Sequence, residues 1–283
     1  MQKLRITLII IAIIIPVLIS VLQRPALSNS LAALENGVSI NEQPKQEPIV
    51  IQPAPKPQKI PVVKEEPKKK ATKTPKKKVK PVIVLDPSHQ EVKNLSMERV
   101  SSKSTERSAK QLASASGVLT HQKEYRVTMM FAKELRHQLE KKGYKVVLTR
   151  TKHDVDLSNR QRATFANKQH AALVISLHAD GGKNYQRGFY VMSPTKEAVS
   201  KKRYHTSKKQ AERILRAVAK EDKIFSDGHF YRDDLALFNF TTMPVISLQL
   251  GFLTNVNDDK KLANDRYIHE LAKWVSNGIP IAK

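Results

Sequence analysis

Two histidines each follow a short apolar, β-branched run, and their positions suggest a metal site. His89 follows residues 82–85 across the segment Asp86-Pro87-Ser88, and His178 directly follows residues 173–177. Such runs between helical stretches predict buried parallel strands, and open α/β sheets bind ligands at the carboxyl ends of their strands. Two imidazoles at this edge, with a third ligand, would form a zinc site with one open position. The alternative is that each histidine is an ordinary surface or hydrogen-bonded side chain.

A third ligand can come from the segment 120–125. Glu124 opens an amphipathic helix that the apolar spacing predicts from about 124 to 142, and His121 lies three residues earlier. An acidic residue in a first helical turn is also common for electrostatic reasons alone, because it faces the positive end of the helix dipole. From spacing, both residues remain candidates.

The elements that must position these residues alternate between strand and helix along residues 81–283. The predicted strands are 82–85, 145–149, 173–177, 188–192 and 245–250, and the predicted helices are 124–142, 158–168, 208–220 and 267–277. This alternation predicts an α/β fold, with a mainly parallel sheet flanked by helices on both faces, in a single globular domain. Gly143 is expected to end the first helix, and Asp156 or Ser158 to cap the second. The Ser-rich segment 93–116 is expected to be a loop over the site.

The amino-terminal 80 residues differ in composition from the remainder. Residues 6–22 form an apolar run after Lys3 and Arg5, so residues 1–32 are predicted to be a signal peptide or a membrane anchor. Residues 33–80 are predicted to be a disordered linker, since residues 41–80 alone hold 8 of the 15 prolines and many lysines. The basic residues before the apolar run favour an inside amino terminus, which predicts that residues 81–283 are exported.

Composition limits the chemistry and the partners. The chain has no cysteine, which excludes disulfides, thiolate zinc ligands and cysteine nucleophiles. Its net charge of +24 favours an anionic cell-wall polymer or an anionic lipid surface as partner, or serves solubility alone. Nucleic acid is not an expected partner, because the basic regions lack interleaved aromatic residues and the amino terminus predicts export.

Several short segments in residues 81–283 occur in an order that is typical of one enzyme family. They are Ile83-Val84-Leu85-Asp86-Pro87-Ser88-His89, Glu124 before its helix, residues 143–150, Asn159-Arg160, Ala166-Asn167, Val174-Ile175-Ser176-Leu177-His178-Ala179-Asp180, Met243-Pro244 and residues 251–255. This set resembles the zinc-dependent N-acetylmuramoyl-L-alanine amidases of the Amidase_3 type. The resemblance implies one Zn²⁺ held by His89, Glu124 and His178, with the fourth position left for water.

The chain departs from the family's pattern at Gln249. The family has a general-base glutamate two residues before a Gly-Phe-Leu segment, and here that position holds Gln249 before Gly251-Phe252-Leu253. A carboxamide can form hydrogen bonds but cannot accept a proton near neutral pH. Loss of a general base typically costs about 10²–10⁴ in rate. Three interpretations are open: slow catalysis without a base, a substitute acid (Glu91, Asp233 or Asp234), or a domain that only binds.

A second departure is Ser88, where many family members have glycine. If the backbone at Ser88 needs a positive φ, serine is strained there, and if it does not, the change is harmless.

The resemblance implies a peptidoglycan hydrolase that cleaves the amide between N-acetylmuramic acid and L-alanine in cell-wall turnover or division. The alternative is a catalytically silent amidase-like domain that binds peptidoglycan or regulates other wall enzymes. Peptidoglycan is the expected partner, and residues 6–22 are the expected contact with the membrane. The expected location is the outer face of the bacterial cytoplasmic membrane or the cell wall.

Overall fold

The computed structural model describes residues 79–282, so the predicted apolar run at 6–22 and nearly all of the predicted linker lie outside the described residues. The strands are β1 (Val82–Pro87), β2 (Asn94–Arg99), β3 (Arg107–Gln111), β4 (Lys145–Leu148), β5 (Leu173–Asp180), β6 (Phe189–Pro194), β7 (Ile224–Arg232) and β8 (Val245–Phe252). The helices are α1 (Glu124–Lys141), α2 (Asn159–Lys168), α3 (Lys201–Val218), α4 (Ala236–Phe240), α5 (Val256–Leu262) and α6 (Asp265–Asn277). None of these helices is long and apolar enough to cross a membrane.

Six strands form one mixed sheet in the order β4-β1-β5-β8-β6-β7. All neighbouring pairs are parallel except β6 and β8, which are antiparallel. The central strands β1, β5 and β8 are buried along most of their length because helices cover both faces of the sheet. Ile83 and Leu85 of β1 belong to the core on the side of α1 and α6, whereas Val84 packs with Ala166 of α2 and Phe238 of α4. The predicted α/β class, the mainly parallel sheet and the single domain are confirmed.

The ends of the first two helices follow the sequence signals. Gly143 follows the C-cap of α1 and has a φ of 90°, the left-handed conformation that glycine adopts without strain. Ser158, rather than Asp156, caps α2: its hydroxyl accepts from the backbone N–H of Gln161, whose side chain accepts from the Ser158 N–H. This reciprocal capping box fixes the point at which α2 begins.

Other local predictions are wrong. The segment 93–116 is not a single loop, because β2 and β3 pair within it as a two-stranded antiparallel sheet. Most side chains of this hairpin are exposed or half-buried, so it lacks the apolar alternation that would have indicated strands. Helix α3 begins at Lys201, where Ser200 caps it, and not near 208 as predicted. The prediction missed the first two turns because they are largely polar. Strand β7 and helices α4 and α5 are short or largely half-exposed and were not predicted.

A buried ion pair joins β1 to α2. Arg162 Nη1 lies 2.8 Å from Asp86 Oδ1, and both side chains are almost fully buried. The carboxylate also accepts hydrogen bonds from Thr149 Oγ1 at 2.5 Å and from Ser176 Oγ at 3.1 Å. Burial opposes ionisation of Asp86, but the attraction of Arg162 and these hydrogen bonds outweigh it and hold the pKa of Asp86 below its usual value. The pair therefore stays charged, with its hydrogen bonds satisfied.

We expect Arg162→Met to lower the free energy of unfolding by about 3–5 kcal/mol, because it leaves Asp86 as an uncompensated buried charge. Chemical denaturation at pH 7 measures this change. Lys168→Met, at an exposed position of the same helix, is the matched control and should cost less than about 1 kcal/mol. Equal losses in the two variants would contradict the assigned role of the pair.

The same ion pair predicts a pH dependence. Because the pKa of Asp86 is depressed in the folded state, its contribution to stability is fully present above the unfolded-state pKa of about 3.9. That contribution is lost as the pH falls through the lower, folded-state pKa.

Candidate metal centre

The three predicted ligands converge at the carboxyl edge of β1 and β5. One ligand atom each from His89, Glu124 and His178 lies within 4.8 Å of the other two. His89 Nε2 is 3.4 Å from Glu124 Oε2, and His178 Nδ1 is 3.2 Å from Glu124 Oε1. Two imidazole nitrogens and a carboxylate oxygen at this spacing form a group that could hold a metal ion.

Each of these residues comes from a different element. Glu124 is the first residue of α1, and His89 lies in the turn after β1. His89 has a φ of 56°, in the left-handed region that histidine enters more readily than most residues. His178 lies inside β5, not just past its end as expected, because β5 continues to pair with β8 as far as Asp180.

Two buried arginines hold the turn that carries His89. Arg162 Nη1 and Nη2 donate to the carbonyl oxygens of Pro87 and His89 at 3.2 and 3.3 Å. Arg150 Nε donates to the Pro87 carbonyl at 2.8 Å, and its Nη2 donates to the Tyr125 carbonyl of α1 at 2.8 Å. The turn is therefore attached both to the ion pair beneath it and to the helix that carries Glu124.

Glu124 is the most constrained member of the group. Its oxygens accept hydrogen bonds from the backbone N–H groups of Ala115 and Ala179, both at 3.1 Å, and the side chain is buried. Burial opposes ionisation of the carboxyl group, but the attraction of His89 and the contact with His178 outweigh it and hold the pKa of Glu124 below its usual value. The side chain of Glu124 is therefore an anionic carboxylate at neutral pH.

His89 is held in the state that a metal ligand needs. Burial lowers the pKa of His89, although Glu124 attracts a proton to it, so the imidazole is neutral near pH 7. Its Nδ1 lies 3.3 Å from the carbonyl oxygen of Leu112. This contact favours a proton on Nδ1 and leaves Nε2 as the donor atom that faces Glu124.

The structure also settles the roles of His121, the rival candidate ligand, and of Ser88, the second departure from the family pattern. His121 is not part of the group; it lies at an exposed turn with a φ of 58°. Ser88 does not adopt a positive φ, and its hydroxyl donates to the carbonyl oxygen of Leu177 at 2.6 Å. The serine is therefore unstrained.

Of the three candidate substitute acids, Asp234 alone lines the cavity that contains His89 and His178, a space of about 310 Å³. Its carboxylate is bound by Arg232 through two contacts of 2.6 and 2.7 Å, and these hydrogen bonds lower the pKa of Asp234. Glu91 and Asp233 are exposed side chains that do not line this cavity. Asp234 is thus nearby, but it is a weak proton acceptor.

Gln249 lies beside His178 in the sheet. The two residues are register partners of the parallel strands β5 and β8, so their side chains leave the sheet on the same face. Gln249 is 3% exposed, and its Nε2 is 3.4 Å from Ser247 Oγ. Its Oε1 accepts no hydrogen bond from the residues that the structure describes. An unpartnered buried acceptor costs about 1–3 kcal/mol, so packing alone does not explain this carboxamide.

Sequence reasoning missed most of the residues that surround the three ligands. Gln111 of β3 donates to Asn159 Oδ1 of α2 at 2.9 Å, and both residues line the cavity together with Arg232. Asn159 belongs to a segment that the family resemblance had singled out. Gln111 and Arg232 have no spacing signal, since the hairpin and β7 that carry them were not predicted.

Comparisons with known proteins identify relatives of this chain. A family model described as N-acetylmuramoyl-L-alanine amidase matches residues 83–280. The chain is 28% identical over 225 residues to an N-acetylmuramoyl-L-alanine amidase of Mycobacterium tuberculosis, covering 73% of this chain and 89% of that protein. It is 30% identical over 173 residues to the N-acetylmuramoyl-L-alanine amidase CwlM of Bacillus licheniformis, covering 59% of this chain and 61% of that protein.

A solved structure shares the fold. The apo form of the N-acetylmuramyl-L-alanine amidase Ami1 from Mycobacterium abscessus matches with a TM-score of 0.64 at 21% identity, over 70% of this chain and 96% of that chain.

Proposed function

The chain belongs to the N-acetylmuramoyl-L-alanine amidase family, and we propose that it hydrolyses the amide between N-acetylmuramic acid and L-alanine in peptidoglycan. The observation that carries the proposal is the group formed by His89, Glu124 and His178, whose ligand atoms lie within 4.8 Å of one another at the carboxyl edge of the sheet. The reaction would serve cell-wall turnover or division.

We assign one Zn²⁺ as the cofactor, with His89, Glu124 and His178 as its ligands. Two imidazoles and one carboxylate are a donor set of catalytic zinc sites, which keep one position open. When bound, zinc supplies Lewis-acid activation of water and of the scissile carbonyl. The protein orients the ligands through the Leu112 carbonyl at His89 and the backbone N–H groups at Glu124.

Gln249 is assigned a positioning role in this reaction. Its carboxamide cannot take a proton near neutral pH, but its unpartnered Oε1 can accept a hydrogen bond from the attacking water or from a substrate N–H. Asp234 does not replace the missing base effectively, because Arg232 occupies both of its carboxylate oxygens. We therefore expect slow hydrolysis without efficient proton transfer. The second candidate function is a catalytically silent domain that binds peptidoglycan. The inability of the Gln249 carboxamide to accept a proton supports it.

We also propose that residues 81–283 form the exported domain, that residues 33–80 are its linker, and that residues 1–32 hold it at the outer face of the cytoplasmic membrane. The apolar run at 6–22 after Lys3 and Arg5 supports this location. The net charge of +24 supports contact with anionic wall polymers.

For the metal, we expect His89→Ala and His178→Ala to lose most of the zinc that the purified full-length chain binds, since each removes one of three ligands. Elemental analysis after dialysis measures the zinc content. His137→Ala, at an exposed position of α1, is the control and should retain one zinc per chain. Equal zinc content in all three variants would contradict the ligand assignment.

For the reaction, Gln249→Glu should raise the rate of stem-peptide release by about 10²–10⁴, the usual contribution of a positioned proton acceptor. Mass spectrometry of peptidoglycan digests measures the release of peptides that begin with L-alanine. Gln138→Glu, on α1 and away from the cavity, adds the same charge and is the control. Gln249→Met, which removes the carboxamide, should lower the activity of the wild type.

Three outcomes of this experiment are informative. Wild-type activity equal to that of Gln249→Glu would mean that another group carries the proton. Wild-type activity that survives Gln249→Met unchanged would contradict the positioning role. No release by the wild type or by Gln249→Glu, with tight peptidoglycan binding, would favour the silent domain.

For the location, we expect the full-length chain to sediment with membranes and a chain without residues 1–32 to remain in the cytoplasm. Fractionation with a protease-accessibility assay on intact cells measures both. A full-length chain that is protected from external protease in cells with a permeable wall would contradict export.

A further inference from the structure

A second cavity lies next to the metal centre, behind the β2–β3 hairpin. It has a volume of about 490 Å³, and β2, β3 and the first turns of α2 form its walls. We call this cavity the basic pocket, because four cationic side chains line it: Arg99, Arg107, Lys110 and Arg160.

The positive charge of the basic pocket is not neutralised within the described part of the chain. None of its four cations forms an ion pair with residues 79–282. The one carboxylate among the lining residues is Glu98, which is 7% exposed and accepts a hydrogen bond from the backbone N–H of Arg160 at 3.3 Å. This carboxylate is hydrogen-bonded to the start of α2, and the four cations outnumber it in the lining.

Part of the basic pocket is preorganised. The guanidinium carbon of Arg160 lies 4.5 Å from the centroid of the Phe240 ring, a stacking arrangement that restricts the side chain. An arginine held in this way loses less conformational entropy when it binds a planar anion, and its donor fork matches a carboxylate. Ser158 and Gln161, whose side chains form the capping box of α2, and Thr164 complete the wall.

The basic pocket and the cavity of the metal centre share a wall. Ser108 and Gln111 of β3 line the metal cavity, whereas Arg107 and Lys110 of the same strand line the basic pocket. Asn159 and Arg160, adjacent at the start of α2, are divided in the same way. A ligand that leaves the metal cavity across β3 therefore meets the cations.

We infer that the basic pocket binds the carboxylates of the stem peptide whose amide lies at the metal centre. The inference rests on the proposed function, because it assumes a muramoyl peptide as the substrate. An extended peptide advances about 3.3 Å per residue, so carboxylates two or three residues beyond the scissile amide lie roughly 7–10 Å away. A single strand is about 5 Å wide, so such a peptide can reach across β3. Binding of a cell-wall polymer with phosphate groups would not require the basic pocket to adjoin the metal cavity. The stem peptide is therefore the better match.

The test compares two synthetic stem peptides, one with free carboxylates and one with carboxamides, in equilibrium titrations with the full-length protein. We expect the wild type to bind the free acid about tenfold more tightly, the scale of a few charge-assisted contacts. Arg107→Gln/Lys110→Gln should lose this preference. Arg216→Gln/Lys220→Gln removes the same charge from another cavity, near Asn277, and should keep the preference.

Three results would overturn the inference. The first is equal affinity of the wild type for the acid and the amide peptides. The second is a preference for the acid peptide that the Arg107→Gln/Lys110→Gln variant retains. The third is a variant that loses binding to soluble poly(glycerol phosphate) but binds the acid peptide as the wild type does. Because binding is measured without turnover, a protein that hydrolyses nothing but still prefers the acid peptide would support the basic pocket and contradict the proposed activity.

Discussion

The buried ion pair between Asp86 and Arg162 is the interaction on which the candidate metal centre depends. Burial of two charges away from water is tolerated only if they pair with each other and their remaining hydrogen bonds are formed. Arg162 meets this requirement partly through the carbonyl oxygens of Pro87 and His89, so the turn that carries the His89 imidazole is fixed by the same contacts. Asp86 meets it through Thr149 and Ser176, which connect β1 to its neighbours. The position of the His89 imidazole thus follows from the free-energy cost of burying the charges of Asp86 and Arg162.

Glu124 connects several elements at the carboxyl edge of the sheet and also faces the two histidines. Its carboxylate binds the backbone at Ala115 and Ala179 while it faces both histidines, so the loop after β3, strand β5 and helix α1 meet at one side chain. This arrangement explains why the hairpin and the metal group are adjacent. It also explains how residues 107–112 can line two cavities, one that includes His89 and His178 and one that includes Arg99 and Arg160.

The sequence predicted the features that depend on a local pattern of residues or on the order of the segments typical of the family. Long apolar runs predicted the central strands, and Ser158 and Gly143 marked helix ends. The family resemblance identified His89, Glu124 and His178 as the candidate ligands. The sequence did not predict the hairpin, whose strands are polar, or β7, which carries Arg232 to the cavity, or the short α4, which follows Asp234. These elements pack on residues distant in sequence, which no local signal reports. The isolation of the Gln249 Oε1 is likewise visible only in three dimensions.

We propose that His89, Glu124 and His178 bind one zinc ion at the carboxyl edge of β1 and β5. Anomalous diffraction from zinc-supplemented crystals, recorded on both sides of the zinc absorption edge, tests it most directly. We expect one peak about 2.0–2.2 Å from a nitrogen of each histidine and from an oxygen of Glu124. A fully occupied zinc peak elsewhere in the molecule, with none among these three side chains, would contradict it.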